Sequence, residues 1–385
     1  MHVALNGWFW DQPYTGSGQV VRRLVSNLRK VAPDLRLTLV LPSHISGADV
    51  PAGVETVQVN ARRGNLGKNW FEQRSFPAAA GRVKADVVHV PYWGGPLSSP
   101  APLVVSVLDA IPAILPAYTH GAAQQLYVSL QTAVARGATR LITISESSKA
   151  DLVQHLGLPA ERIAVTLLAA DEAFHPLIGA ENDPAVKAKY ELPDRFVLYL
   201  GGFDQRKNVG QLLEAFHYVV KAEGDEVPLV IAGAEPQWAE PMFPNLREAA
   251  RELELGDDVL RWIGRVDEAD KPSLYRLADV FAFPSLYEGF GLPPLEAMAS
   301  GTPVIASEIP VMEEICGDGA FLVEPGSARR MAGALLALLG QADLRETQIT
   351  RGLARATHFQ WRKTAKDTLA VYEVIGLWFL AIIDG

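Results

Sequence analysis

From Phe283 to Ala306 the chain reads FPSLYEGFGLPPLEAMASGTPVIA. The apolar run Val280 to Phe283 that leads into it has the length and residue types of a buried strand. Gly289 and Gly291 end that run and let the backbone come close to a ligand. Pro293 and Pro294 suit the first turn of a helix, where a missing N–H costs nothing, and Val304 to Ala306 starts another strand. Strand, glycine loop, helix, strand is the repeating unit of a parallel sheet covered by helices. Amides at the start of such a helix, aided by its dipole, form a site for a phosphate or a sugar hydroxyl.

Outward from this stretch the same alternation fills the chain. In the first half, strands are expected at Val3 to Leu5, Leu35 to Leu41, Val54 to Val59, Val87 to Val90, Leu103 to Leu108, Leu141 to Ile144 and Ile163 to Thr166. Helices are expected at Gly18 to Lys30, Ala122 to Ala135 and Glu146 to Leu156, the last with Ser145 as its N-cap. Periodicity lapses between Asp171 and Asp194, around Pro176, Pro184 and Pro193, and this marks a linker. The pattern restarts with Phe196 to Leu200, Leu229 to Ala232, Val259 to Ile263, Val280 to Phe283, Val304 to Ala306 and Phe321 to Val323. The expected architecture is α/β: two Rossmann-like, doubly wound domains facing a central cleft, with ligands at the carboxyl ends of the strands. The divisions fall at 1–172, a linker at 173–195, a second domain at 196–365, and a C-terminal helix at 366–385. That helix ends in the apolar stretch Val374 to Ile383, about half the ~20 residues of a membrane span.

A chain of 385 residues exceeds what one core usually supports, which agrees with two domains. The net charge of -9 excludes duplex nucleic acid as the expected partner, because that binding needs dense phosphate neutralisation. One cysteine, Cys316, permits no intrachain disulfide and no thiolate cluster, and the first residues lack a signal-peptide pattern. A cytoplasmic location is the expectation. No GxGxxG follows the first strand, where the chain reads Asn6-Gly-Trp-Phe-Trp, so a dehydrogenase is disfavoured. The eight histidines show no metal spacing, and His89 reads as a satisfied core or loop residue.

Glu288 lies in the glycine loop and Glu296 in the helix beyond it, so the two carboxylates bracket one site with different roles. A carboxylate that accepts from vicinal hydroxyls suits a ribose, which assigns Glu296; Glu288 then faces the transferred sugar. The Glu288 to Glu296 segment resembles the paired-glutamate motif of the retaining glycosyltransferases of family 4, which have the GT-B fold. Tyr14-Thr-Gly-Ser-Gly, Asp86-Val-Val-His-Val-Pro-Tyr, Ile142-Thr-Ile-Ser-Glu-Ser-Ser and Leu198-Tyr-Leu-Gly-Gly-Phe-Asp-Gln-Arg-Lys-Asn follow in the family's order.

The resemblance implies a nucleotide-sugar donor bound by the second domain and a saccharide or lipid-linked acceptor bound by the first. It implies donor contacts from Gly16, Gly18, Gly202, Gly289, Phe290, Gly291, Leu292 and Glu296, and catalytic roles for Glu288, Lys207, Arg206 and Asp109. Lys207, with Arg206 beside it, would neutralise the leaving diphosphate through fixed cations. No DxD-type carboxylate pair is evident, so neither a metal nor another cofactor is expected. The implied mechanism is front-face displacement with retention, and GDP-mannose is the first donor to consider, in building surface polysaccharide.

Two departures stand out. Gly202 occupies a position where the family often has Arg, which leaves one cation fewer or gives Arg206 its part. Leu108 replaces a His that in the family lies near the donor sugar C6 hydroxyl, so either the sugar lacks that hydroxyl, activity is reduced, or another residue reaches it. A non-catalytic nucleotide-sugar-binding protein and a sucrose- or starch-type synthase are the alternatives. Between Arg62 and Arg82, basic residues flank Trp70 and Phe71. This is either a solvated helix that buries its aromatic pair, the plainer reading, or a surface for peripheral contact with the inner face of a membrane.

Overall fold

The computed structural model describes residues 1–119, 121–224 and 226–383, with the backbone alone at 116, 123, 223 and 377–383. The chain divides into two units, Met1–Leu168 with Gln360 onward, and Ala169–Phe359.

The first unit holds a seven-stranded sheet: β1 (His2–Asn6), β2 (Arg36–Pro42), β3 (Glu55–Val59), β4 (Val87–Val90), β5 (Leu103–Ser106), β6 (Arg140–Thr143) and β7 (Ile163–Val165). Its order is β3-β2-β1-β4-β5-β6-β7 with every pairing parallel, so the order reverses between β1 and β4. β1 shows why both faces are covered. Val3 and Leu5 point into a cluster with Leu24, Leu28 and Tyr372, while Ala4 points into the opposite cluster with Val40, Phe71 and Phe76. This is the period of two that a strand imposes.

The helix Trp361–Ile383 belongs to this unit. It buries Val371, Tyr372 and Ile375, at ~1.5–3 kcal/mol for each fully buried apolar side chain. Tyr372 also closes a buried chain of hydrogen bonds: its hydroxyl lies 2.6 Å from Nδ1 of His89, whose Nε2 lies 2.9 Å from Ser106 Oγ. Burial holds the His89 imidazole down at about 3, neutral and structural. The apolar helix end expected at Val374 to Ile383 has its side chains from 377 outside the described residues.

The second unit holds a six-stranded sheet of β8 (Val197–Leu200), β9 (Leu229–Ala232), β10 (Leu260–Gly264), β11 (Val280–Phe283), β12 (Val304–Ser307) and β13 (Phe321–Val323). Its order is β10-β9-β8-β11-β12-β13, again all parallel, and it reverses between β8 and β11. Val197 and Tyr199 of β8 pack with Leu212 and Phe216 of the following helix.

The stretch expected as a linker, 173–195, is instead an ordered part of the second unit. Arg276 gathers it. Its guanidinium lies 2.6 Å from the Asp183 carboxylate and donates to the carbonyls of His175, Ile178 and Gly179. Lys189 adds ion pairs to Asp267 and Asp270, each at 2.6 Å. Polar side chains from distant sequence satisfy this backbone, and no apolar periodicity announces that. The expected aromatic pair on the helix after Arg63 splits: Phe71 is fully buried and Trp70 stands exposed. Among the described residues no helix is long and apolar enough to cross a membrane.

Candidate active site

In the second unit, the loops after β8 and β11 lie side by side because those strands are neighbours at the reversal of strand order, the place where open α/β sheets bind ligands. After β8 the chain passes Gly201 and Gly202 into a tight turn, Gln205–Lys207. Asn208 adopts a left-handed conformation at φ 52°, which starts the helix Val209–Glu223 and sets Arg206 and Lys207 at its mouth. Leu286, in the loop after β11, donates its amide to the Arg206 carbonyl at 2.8 Å and zips the two loops together.

Three sequence-predicted residues meet here. Glu288 places Oε1 2.6 Å from Lys207 Nζ and Oε2 2.7 Å from an Arg206 nitrogen. Arg206 also donates to the Tyr287 carbonyl at 3.0 Å and lies 3.3 Å from Asp204. Lys207 Nζ sits 5.0 Å from the centre of the Phe283 ring. Burial alone would raise the Glu288 carboxyl, but Lys207 and Arg206 outweigh it and hold the group below the ordinary carboxylate range. The cluster is a pair of fixed cations sharing one carboxylate.

The loop continues through Gly289 and Phe290, which is buried edge-on against Phe359, to Gly291 at φ 103°. The helix Leu292–Ala299 follows, with prolines in its first turn. Since Pro293 and Pro294 carry no N–H, its leading amides are those of Gly291 and Leu292. Glu296 is buried on this helix and accepts from the Tyr275 hydroxyl at 3.0 Å. Burial pushes its carboxyl up to about 7, against the pull of Lys271 and Tyr275. Gly202 is exposed at the end of β8, and its carbonyl accepts from the Tyr199 hydroxyl.

Gly16, Gly18 and Asp109 lie in the first unit. The Gly18 N–H donates to Thr15 Oγ1 at 3.1 Å, which caps the helix Gly16–Val31. Glycine fits there because a Cβ would stand 1.9 Å from the Gln12 carbonyl oxygen. Asp109 follows β5 and accepts from the Ile111 amide at 3.0 Å. It helps line a pocket of about 180 Å3 with Phe9, Lys68, Tyr92, Trp93 and Tyr127. Leu108, whose identity the sequence reading singled out, and Ser17 complete that lining.

The description "Glycosyl transferase 4-like domain" matches residues 15–168, and "Glycosyl transferases group 1" matches residues 182–355. The chain belongs to the family-4-like glycosyltransferases. The first family match lies in one unit and the second in the other, and the fold is GT-B. Among curated relatives, the O-antigen chain mannosyltransferase B of Escherichia coli is 31% identical over 62% of this chain and 61% of its own length. A phosphatidyl-myo-inositol mannosyltransferase of Mycobacterium leprae is 34% identical over 49% of each chain. The chain thus spans only part of the length of the curated relatives it matches. HepE from Anabaena, solved in complex with UDP-glucose, superposes with a TM-score of 0.71 over 99% of this chain and 100% of its own, at 18% identity.

Lys68, Glu72, Tyr92 and Tyr127 were not singled out as a site by the sequence. The one visible signal was the spacing of Lys68 and Glu72, four apart on a helix, which ordinarily marks a solvated pair. A π turn at Phe71–Ser75 buries Glu72 instead, and short-range sequence patterns do not announce such a turn.

Proposed function

We propose that this chain transfers a hexose, mannose in the first instance, from a nucleotide-sugar to a hydroxyl of a saccharide or lipid-linked acceptor, with retention and without a metal ion. The observation that carries the reading is the meeting of Arg206, Lys207 and Glu288 where the strand order of the second sheet reverses. A diphosphate brings its own negative charge to those two cations and competes with Glu288 for them. Its departure then develops charge where fixed positive groups already stand, which is how a preorganised site lowers a barrier. Glu288, drawn off its cations, is left to accept from the hydroxyls of the sugar. In this reading Glu296 takes the ribose and the Gly291 and Leu292 amides approach the phosphates.

Retention follows if the departing phosphate takes the acceptor proton on the same face that the acceptor attacks. The acceptor oxygen bonds to the anomeric carbon as the bond to phosphate breaks, and the phosphate oxygen leaves with the proton. Protein groups then contribute positioning and charge. Metal independence is proposed because Arg206 and Lys207 supply fixed positive charge for a leaving diphosphate, the part a divalent ion plays elsewhere. Mannosyltransferases among the relatives support mannose, and GDP-mannose is the donor to test first. The proposed setting is cytoplasmic, at the inner face of a membrane, where Leu66 and Trp70 stand exposed among arginines.

The deciding experiment is a thermal-shift panel of GDP-mannose, a GDP-linked 6-deoxyhexose, UDP-glucose and ADP-glucose with a chelator present, followed by assignment of the product anomer. A ligand at a hundred times its Kd stabilises by ~2.7 kcal/mol, several degrees in a chain this size. Stabilisation by one donor and an anomer matching that donor are expected. Lack of response to every nucleotide-sugar, an inverted product, or loss of turnover on chelation would each defeat the corresponding part of the reading. Preference for the 6-deoxy donor would assign Leu108 as the residue that replaces a hydroxyl contact.

A further inference from the structure

The helix Lys271–Leu277 packs beside the helix Leu292–Ala299 and carries a residue to which the donor reading gives no task. Tyr275 is fully buried, and its hydroxyl donates to Oε2 of Glu296 at 3.0 Å. Among the described residues it is the one side chain that hydrogen-bonds this carboxylate. A carboxylate has about four lone-pair sites, so one donor from the protein leaves acceptor capacity for two vicinal hydroxyls. Stability does not call for the pair: burying a hydroxyl against a carboxylate costs more than burying two apolar groups of the same shape.

The hydroxyl is held where it is from three sides. Thr302 Oγ1 donates to the Tyr275 carbonyl at 2.7 Å, and the Thr302 N–H donates to the Ala297 carbonyl at 2.9 Å, so one residue ties the two helices together. The Tyr275 ring meets Phe281 of β11 edge-on, with centres 5.2 Å apart, and meets the half-buried Phe174 at 5.8 Å. Arg276, the next residue, gathers the backbone of His175, Ile178 and Gly179 and so fixes the segment that carries Phe174. A donor locked in this way needs no rearrangement when a ligand arrives.

The charged groups that act on Glu296 are few. Lys271, on the same helix as Tyr275, favours its ionised form but is itself paired with Glu268 at 2.6 Å, while Glu268 and Asp171 favour the proton. Two other helices pack on Leu292–Ala299: Pro310–Cys316 brings Met312 against Gly291, and Ala342–Ala356 brings Gly352 against Met298. Arg355 of the latter donates to the Glu314 and Ile315 carbonyls instead. Burial and Glu296 hold the Tyr275 phenol well above its ordinary range, so it stays a donor at any working pH. We infer that Tyr275 is a positioning residue of the donor site: its hydroxyl, locked by Phe281 and Phe174, turns Glu296 to accept from the vicinal hydroxyls of a nucleoside diphosphate. The ligand rests on the transferase reading; the hold of Tyr275 on Glu296 stands on the second unit alone.

The test titrates the full chain with GDP, UDP and their 2′-deoxy counterparts at pH 7 and pH 9, by calorimetry. Tyr275→Phe keeps the ring and is expected to weaken the ribonucleotide by ~10-fold at pH 7, the scale of one hydrogen bond to a charged group. The preference over the 2′-deoxy form should shrink with it. By pH 9 the gap should narrow, because the carboxylate is then ionised with or without its donor. Turnover should show a raised KM for the donor at unchanged kcat, since the ribose is bound alike before and during transfer. In a Glu296→Gln chain, Tyr275→Phe should add nothing. Melting curves without ligand read the same contact: the loss of stability that ends near pH 7 in the parent should run on to higher pH in Tyr275→Phe, whose folded state keeps the Glu296 proton longer. Phe174→Ala should do the same to a smaller extent and carries the test if Tyr275→Phe fails to fold. An unchanged affinity, a loss equal at both pH values, an equal loss in the Glu296→Gln chain, or an unmoved melting window would overturn the inference. If a nucleotide still binds the parent in that event, the transferase reading stands and only the role of Tyr275 is lost. If no nucleotide binds the parent and the melting window still moves, Tyr275 keeps its hold on Glu296 and the transferase reading falls.

Discussion

Lys207 and Glu288, 81 residues apart in the chain, meet with Nζ 2.6 Å from Oε1, and Arg206 holds the other oxygen of the same carboxylate. One carboxylate thus already offsets part of the charge of the two cations, and a diphosphate would have to displace it. Two substitutions separate the two halves of this idea. Lys207→Ala removes a cation that stabilises the leaving group and is expected to lower kcat/KM by ~10²–10³, the usual loss for one preorganised donor. Glu288→Gln removes the competing anion, so the nucleoside diphosphate alone should bind as tightly as before or tighter while kcat falls by ~100-fold. Calorimetry with GDP or UDP, paired with initial rates, reads both. Weaker diphosphate binding by Glu288→Gln would mean that the carboxylate builds the phosphate site instead of occupying it.

Glu296 predicts a pH dependence of unusual direction. With its carboxyl at about 7 in the folded chain, the folded state keeps a proton that the unfolded chain releases above ~4.5. Stability should therefore fall as pH rises from about 4.5 to 7 and stay at the lower level above that, by on the order of 3 kcal/mol in all. Glu296→Gln should flatten this slope and raise Tm at pH 8. Nucleotide affinity should run the other way in the parent chain and strengthen as pH rises through 7, because the ionised carboxylate is the form that accepts from ribose hydroxyls. Melting curves and nucleotide titrations between pH 5 and 8 check both, and an identical slope in parent and variant would remove Glu296 as the group responsible.

Much of the fold was legible because parallel strands buried on both faces read as short apolar runs. Val280–Phe283, Val304 to Ala306 and the helix Glu146–Leu156 behind its Ser145 cap stand where the pattern puts them. The cluster of Arg206, Lys207 and Glu288 could be suspected because each residue sits just past a strand end, and adjacent strand ends bring their loops together. Their direct pairing could not be read, since it depends on the register between loops. The segment 173–195 was misread for a related reason: Arg276, which orders it, acts from 93 residues beyond Asp183. Lys68 stayed hidden in a basic stretch because a π turn, not the sequence spacing, carries Glu72 into the interior.

Gly16 and Gly18 look equivalent in sequence and are not equivalent in space. A Cβ at Gly16 meets nothing within 4 Å, whereas one at Gly18 would stand 1.9 Å from a backbone oxygen that cannot move without its loop. Gly16→Ala should change stability by less than ~0.5 kcal/mol, and Gly18→Ala should destabilise by about 1–3 kcal/mol as an overpacked site does. Urea midpoints at constant slope measure both. A tolerated Gly18→Ala would show that the loop from Gln12 to Gly18 is more yielding than its packing implies.

Leu66 and Trp70 stand one helical turn apart, 87% and 63% exposed, on the helix that follows Arg62 and Arg63. Exposing two large apolar groups together has no benefit within the unit, and Arg74 adds a third exposed guanidinium nearby in sequence. Apolar side chains flanked by arginine suit an anionic bilayer surface, where each basic residue contributes about 1 kcal/mol and salt weakens the contribution. The chain is expected to sediment with vesicles containing phosphatidylglycerol and not with phosphatidylcholine alone. Leu66→Ser/Trp70→Ser should weaken that binding by ~10-fold, and Arg62→Ser/Arg63→Ser should remove most of its salt dependence. Because all four side chains are exposed, Tm should hold in both variants, so a loss of binding reports the surface itself. If neither pair alters sedimentation, or the parent chain ignores anionic vesicles, the exposed face serves something other than a membrane.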